Sequence, residues 1–140
     1  VTAAAVYGAR IYVFYRGGTG AANLRYAWSS NGTSWTGPIA PDHGGAPSLA
    51  GTPSVYVAHQ RLHVAGRASS GAIRYSSLCS TTAGCTYRPG HWTRVTEVDG
   101  AMAGTQVTLY SDFQAGGIGT RLYAIRRDAA GTRWVSKRSE

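Results

Sequence analysis

The sequence predicts an all-β domain assembled from repeated antiparallel meanders, on three observations. Glycine is abundant, at 19 of 140 residues, with 9 Tyr, 4 Trp and a single Met, while Glu, Lys and Gln are scarce. That balance favours strands and turns over helices. Three segments lie over one another without a gap: Arg10-Ile-Tyr-Val-Phe-Tyr-Arg-Gly-Gly-Thr-Gly, Arg61-Leu-His-Val-Ala-Gly-Arg-Ala-Ser-Ser-Gly and Arg121-Leu-Tyr-Ala-Ile-Arg-Arg-Asp-Ala-Ala-Gly. Each is flanked on both sides by further short extended runs, as expected of a repeat that stacks.

In chain order, the first unit opens with an extended run over Ala3 to Val6, followed by the strand from Arg10, in which Ile11, Val13 and Tyr15 alternate with their neighbours. A glycine-bearing turn leads to a third strand, Leu24-Arg-Tyr-Ala-Trp-Ser29, and a fourth is expected at Ser34-Trp-Thr36. The second unit repeats this with Ser54 to Val57, the strand from Arg61, Ile73-Arg-Tyr-Ser-Ser-Leu78 and His91-Trp-Thr-Arg-Val95. The third has Gln106 to Tyr110, the strand from Arg121 and Arg133-Trp-Val-Ser-Lys137. A four-stranded meander of roughly 45 to 60 residues matches one blade of a β-propeller. The expected organisation is thus a single propeller domain or fragment over residues 1–140, with blade-like units at about 1–45, 46–100 and 101–140, the last incomplete. Closed propellers hold about four to eight blades, so these three predict a ring completed by further blades, from the same parent protein or from other subunits.

Composition narrows the function classes. Hydrophobic residues reach 43% and charged ones only 14%, which excludes an intrinsically disordered chain. The formal charge of +8 admits anionic partners, but the arginines are scattered singly apart from Arg126 and Arg127, so no nucleic-acid partner is expected. No stretch is long and apolar enough to span a membrane. Val1 opens the chain without Met or a charged and apolar leader, and the expectation is that any signal peptide or upstream domain is already absent. Cys79 and Cys85 bracket Ser-Thr-Thr-Ala-Gly, a spacing suited to a local disulfide and unsuited to a metal site, since no second Cys or His pair completes one. Such a bridge places the protein in a secreted or periplasmic setting, the alternative being two buried thiols in a cytosolic protein.

The stretch Ser29-Ser-Asn-Gly-Thr-Ser-Trp35 resembles a shortened Asp-box, the Ser-x-Asp-x-Gly-x-x-Trp hairpin of sialidase-like propellers. The repeated strand pairs, Arg10 to Gly17 and Leu24 to Trp35, are similar to those of propeller lectins. Asn31 stands where the box has Asp, one residue is deleted, and the second unit carries the Cys79 to Cys85 insertion where the hairpin would be. The Asp-box of that family is a structural turn. The resemblance therefore implies a fold and a turn, and fold analogy alone does not carry function.

Candidate binding residues follow from the loops that propellers use for ligands, the turns between second and third strands and the connections between blades. Arg16, Arg67 and Arg127 hold the same place in their units. Guanidinium forks suit sugar hydroxyls or a sugar carboxylate, and aromatic faces suit apolar sugar surfaces. The first connection, Gly37 to Pro47, contributes Asp42 and His43, and the second, Glu97 to Gly104, contributes Asp99 and Met102. Trp28 and Tyr75 on the third strands complete the candidate carbohydrate set. The competing reading makes the arginines packing elements bonded to carbonyls of the neighbouring blade, and makes Trp28, Tyr26 and Tyr75 core residues. Trp35 and Trp92, on the expected fourth strands, are read as blade-to-blade packing.

A hydrolase of sialidase type needs a Tyr nucleophile activated by Glu, an acid/base Asp and an arginine cluster. Only Glu97 and Glu140 are available, and Asp42, Asp99, Asp112 and Asp128 stand singly in expected loops. His43, His59, His63 and His91 show no metal-ligand spacing, and His63 replaces the strand tyrosines Tyr12 and Tyr123 of the repeat. Gly17-Gly-Thr-Gly20 and Gly116-Gly-Ile-Gly119 sit at hairpin turns and open no helix, so no phosphate cradle is expected. Asn31-Gly-Thr33 is a formal glycosylation sequon whose sequence also suits a tight turn. The expectation is a secreted, extracellular, lectin-like module that binds a glycan without catalysis and without a metal or cofactor. The rivals are a non-catalytic portion of a sialidase-like glycoside hydrolase and a protein-interaction scaffold.

Overall fold

Every regular element described in the chain is a β-strand. The computed structural model describes residues 2–17, 23–41, 49–58, 60–79, 92, 96–99, 104–112, 121–128 and 133–139. Strands β1 (Thr2–Tyr7), β2 (Arg10–Arg16), β3 (Leu24–Ser29) and β4 (Thr36–Ile39) pair in sequence order as one antiparallel sheet. Strands β5 (Ser54–Ala58), β6 (Arg61–Arg67), β7 (Ile73–Cys79) and β8 (Thr96–Asp99) form the second sheet. Strands β9 (Gly104–Asp112), β10 (Arg121–Asp128) and β11 (Arg133–Ser139) form the third. Among the described residues these are three separate antiparallel sheets, with no pairing that joins the first to the last.

Tight turns set the meanders. Tyr7 pairs with Arg10 across Gly8 and Ala9, whose φ values of 55° and 57° are the left-handed pair that a two-residue hairpin of right-handed twist requires. Gln60, with φ 57°, occupies the matching corner of the second sheet before Arg61. Its carbonyl accepts a 2.6 Å hydrogen bond from the Tyr7 hydroxyl, so one hairpin is tied to the next.

The fourth strands lie later than the sequence suggests. In the first sheet β4 begins at Thr36, because Asn31 to Ser34 are used in the turn and Trp35 only approaches the ladder. In the second, Trp92 makes an isolated bridge to Leu78, and the strand proper runs over Thr96–Asp99. Asp99 consequently ends a strand, paired with Ile73, and is not part of a connecting loop.

Sheets pack face to face, the first strands β1, β5 and β9 lying side by side. Tyr12, Phe14, Leu24 and the half-buried Tyr26 of the first sheet meet Leu62, Val64, Leu78 and Trp92 of the second. Trp92, 1% exposed, stands edge-on to Phe14 with ring centroids 5.6 Å apart, and its ring lies 5.5 Å from that of Tyr26. The other face of the second sheet, through Ala65, Ile73 and Tyr75, packs on Leu109 of the third. A hydrogen bond of 2.9 Å from the Leu109 amide to Ser54 Oγ links the same two sheets. With both faces covered, β6 is buried along nearly its whole length, which fits its small, unbroken run Leu-His-Val-Ala-Gly.

The connection after β4 returns to the core at Leu49, which fills the space that a side chain at residue 66 would take. A Cβ placed on Gly66 would lie 2.7 Å from both Leu49 methyl carbons, and Leu49 is wholly buried. Gly66→Ala is therefore expected to destabilise the fold by about 1–3 kcal/mol, the usual cost of overpacking, as read from urea unfolding.

Candidate functional site

The sheet registers sort the candidate residues onto two opposite ends of the stack. Arg16 pairs with Leu24, Arg67 with Ile73, and Arg127 with Arg133, so all three arginines close the hairpin between second and third strands of their sheets. Asp99 joins that end, since Arg67, Ile73 and Asp99 form one row across β6, β7 and β8. The backbone around these arginines is ordered by local bonds. Gly17 N–H donates to Asn23 C=O at 2.9 Å beneath Arg16, and Ala68 N–H donates to Ala72 C=O at 2.8 Å beyond Arg67.

Arg16 is exposed and Arg67 half-buried. Arg67 Nε lies out of reach of solvent and has no hydrogen-bond partner among the described residues. A buried guanidinium N–H left without an acceptor is costly. The Arg67 carbonyl is engaged separately, accepting the Ala50 N–H at 2.7 Å. The side chain of Arg127 and that of Asp99 lie outside the described residues, as do Asp42, His43 and Met102. The same holds for the Cys79 to Cys85 pairing.

Trp28 is not gathered at the arginine end, and Tyr75, two residues along β7 from the Arg67 row, is buried in the core. Trp28 lies four residues along β3 from Leu24, roughly 13 Å from the Arg16 row at about 3.3 Å per residue. It is half-buried against the core, and the Arg10 guanidinium sits over its ring, 3.9 Å from the centroid. The cation–π contact thus already occupies ring surface that a sugar would need. Tyr75 is 7% exposed, and its hydroxyl lies 2.6 Å from His63 Nδ1.

His63 is itself buried, with Nε2 3.1 Å from the Ala58 carbonyl. A carbonyl accepts only, so Nε2 carries the proton, and in the neutral ring Nδ1 accepts from the Tyr75 hydroxyl. His63 and Tyr75 stack at 5.8 Å where Tyr12 and Tyr26 meet at 6.2 Å in the first sheet. The pair is the repeat's own ring contact with an imidazole in place of a phenol, and the hydrogen bonds satisfy the polar atoms that this exchange buries.

The Asp-box-like turn stands at the end opposite the three arginines. Asn31 Oδ1 accepts from the Ser29 hydroxyl at 3.1 Å, from Thr33 N–H at 3.0 Å and from Ser34 N–H at 2.9 Å. Ser29 Oγ, buried, in turn accepts Gly32 N–H at 2.8 Å, and Gly32 has a φ of 77°. One side-chain oxygen gathers the turn, and an amide oxygen does this without the charge of Asp. Trp35, expected in packing, is 46% exposed, because none of the described sheets covers the first sheet on that side. Among the described residues no three His, Cys, Asp or Glu side chains converge as metal ligands do.

Asn31→Ala removes the common acceptor and is expected to lower stability by about 1–2 kcal/mol, whereas Asn31→Asp, which keeps the oxygen, stays within about 0.5 kcal/mol of the parent in thermal and urea melts. Compared with known proteins, the chain matches no protein-family model, and no curated protein matches it.

Proposed function

We propose that the protein is a secreted carbohydrate-binding module whose three sheets are blades of a β-propeller, and that it holds glycans without transforming them. The observation that carries this reading is the register equivalence of Arg16, Arg67 and Arg127, which puts one arginine at the same end of each sheet. Repeated forks of N–H donors on a rigid sheet end suit the vicinal hydroxyls or the carboxylate of a sugar. Arg67 Nε has no hydrogen-bond partner among the described residues, whereas the packing role would have it bonded to a neighbouring carbonyl. Asp99 stands in the row of Arg67, with Ile73 of β7 between them, so acceptor chemistry belongs to the same end in this reading.

In this reading Trp28 and Tyr75 support the sheets and the sugar is held chiefly by polar contacts at the hairpin end. Sheets beyond the described three, from the same parent protein or from other subunits, complete the ring. Extracellular localisation goes with the proposed pairing of Cys79 and Cys85, since a bridge of that kind persists in an oxidising compartment.

The test is titration calorimetry on the sugar class selected by a broad glycan array, with Arg16→Ala, Arg67→Ala and Arg127→Ala made singly. Each is expected to weaken binding about tenfold or more, consistent with the loss of charge-assisted hydrogen bonds, with the melting temperature little changed for Arg16→Ala. Arg67→Lys is expected not to restore affinity, because a point charge does not replace the planar fork. Full affinity in all three alanine variants would make the arginines structural and the proposal wrong.

A further inference from the structure

The turn between β3 and β4 uses one atom of the Asn31 side chain and leaves the other unused. Thr33 N–H, Ser34 N–H and the Ser29 hydroxyl all point at the same side-chain atom of Asn31. A backbone N–H only donates, so that atom is the amide oxygen, and the atom beside it is Nδ2. Among the described residues Nδ2 has no hydrogen-bond partner, and neither has the Thr33 hydroxyl. An aspartate would supply the same oxygen to the turn. The fold therefore accounts for Oδ1 and gives no work to Nδ2 or to the hydroxyl two residues on.

Both unused groups belong to Asn31-Gly32-Thr33, the Asn-x-Thr pattern at which the asparagine nitrogen accepts a sugar. Residues 30–38 are all exposed, and a Cβ built on Gly32 meets nothing within 4 Å, so the space beyond the turn is open to a bulky group. The turn also stands at the end of the stack away from Arg16, Arg67 and Arg127, and a group attached there leaves the arginine end clear.

We propose that Asn31 is a glycan acceptor, its Nδ2 carrying an N-linked oligosaccharide that projects into solvent while Oδ1 goes on holding the turn. The donor is an oligosaccharide on a polyprenyl pyrophosphate. Nδ2 forms a C–N bond to the first sugar carbon, the C–O bond to the pyrophosphate breaks, the lipid pyrophosphate leaves with that electron pair, and one Nδ2 proton passes to the transferring enzyme. Nothing is oxidised or reduced. The product is still an amide with its oxygen intact, so the hydrogen bonds from Ser29, Thr33 and Ser34 survive the modification. The site rests on the secreted part of the function proposed above, because the donor is met in a secretory compartment, and it is independent of the arginine end.

The 140-residue chain is expressed behind a cleavable leader in a eukaryotic secretory cell line and recovered from both medium and cell lumen. Mass spectrometry reads the peptide holding Asn31 before and after enzymatic glycan release in heavy-oxygen water. Sugar is expected on Asn31 in the parent chain and in Thr33→Ser, with one heavy oxygen left at that position after release. Both signals are expected to be lost in Thr33→Ala and in Asn31→Asp, the second of which keeps the oxygen that the turn needs. The sugar-bearing chain is expected to melt within about 3 °C of the released one. An unmodified Asn31, in cells that fill an Asn-x-Thr site on a co-expressed control protein, overturns the proposal. A sugar-bearing chain that melts lower by more than that margin also overturns it, since the turn would not then tolerate the group. Sugar on Asn31 without binding on the glycan array would count against the lectin function alone, and array binding by a chain unmodified at Asn31 against the acceptor site alone.

Discussion

The contact on which the molecule depends is the edge of Trp92 against the ring of Phe14, with Tyr26 alongside. A four-stranded meander has two faces and can hide neither by itself, so each sheet needs a neighbour on both sides. Phe14 and Tyr26 reach from the first sheet and Trp92 from the second, and around them Leu24, Leu49, Leu62, Val64 and Leu78 are shut away from water. The smaller joint around Ala65, Ile73 and Leu109 repeats the device on the far side. Hydrogen bonds from Tyr7 to Gln60 and from Leu109 to Ser54 fix the relative position of neighbouring sheets at points where apolar packing alone leaves them free to slide.

Stacking of this kind determines where chemistry is available. Once the sheets lie face to face, their inner faces are spent on packing, and the sheet ends stay open to a ligand. The arginines that close the second-to-third-strand hairpins fall at one end, and the Asn31 turn and the Arg10–Trp28 pair fall at the other. The two ends differ in kind. At one, Arg16 is exposed and Arg67 Nε has no acceptor among the described residues; at the other, the Asn31 oxygen and the Trp28 ring are already taken up by neighbours within the fold.

Much of the architecture is legible in the sequence because the repeat is. The second and third strands begin and end where the Arg-to-Gly segments and the Leu24 and Ile73 runs place them, since alternation and turn glycines act locally. His63 is readable as a substitute for the repeat's tyrosine, and the structure supplies the Tyr75 hydroxyl that makes the exchange tolerable. The fourth strands were less legible: the Trp-Thr pairs drew them forward, whereas the Asn31 oxygen holds Thr33 and Ser34 in a turn and strand pairing resumes only at Thr36. Trp35 and Trp92 look alike in sequence and differ in burial because the first sheet lies over Trp92 and none of the described sheets lies over Trp35. Leu49 filling the space over Gly66 and Gln60 receiving Tyr7 join residues far apart in the chain, and no local pattern announces either.

A double-mutant cycle of Phe14→Leu and Trp92→Leu, followed by urea unfolding, tests the account at its centre. Two rings in edge-to-face contact between sheets are expected to show a coupling free energy of about 0.5–1.5 kcal/mol. Strictly additive losses, within about 0.3 kcal/mol, would mean that the two rings do not meet and that the sheets are not stacked through them.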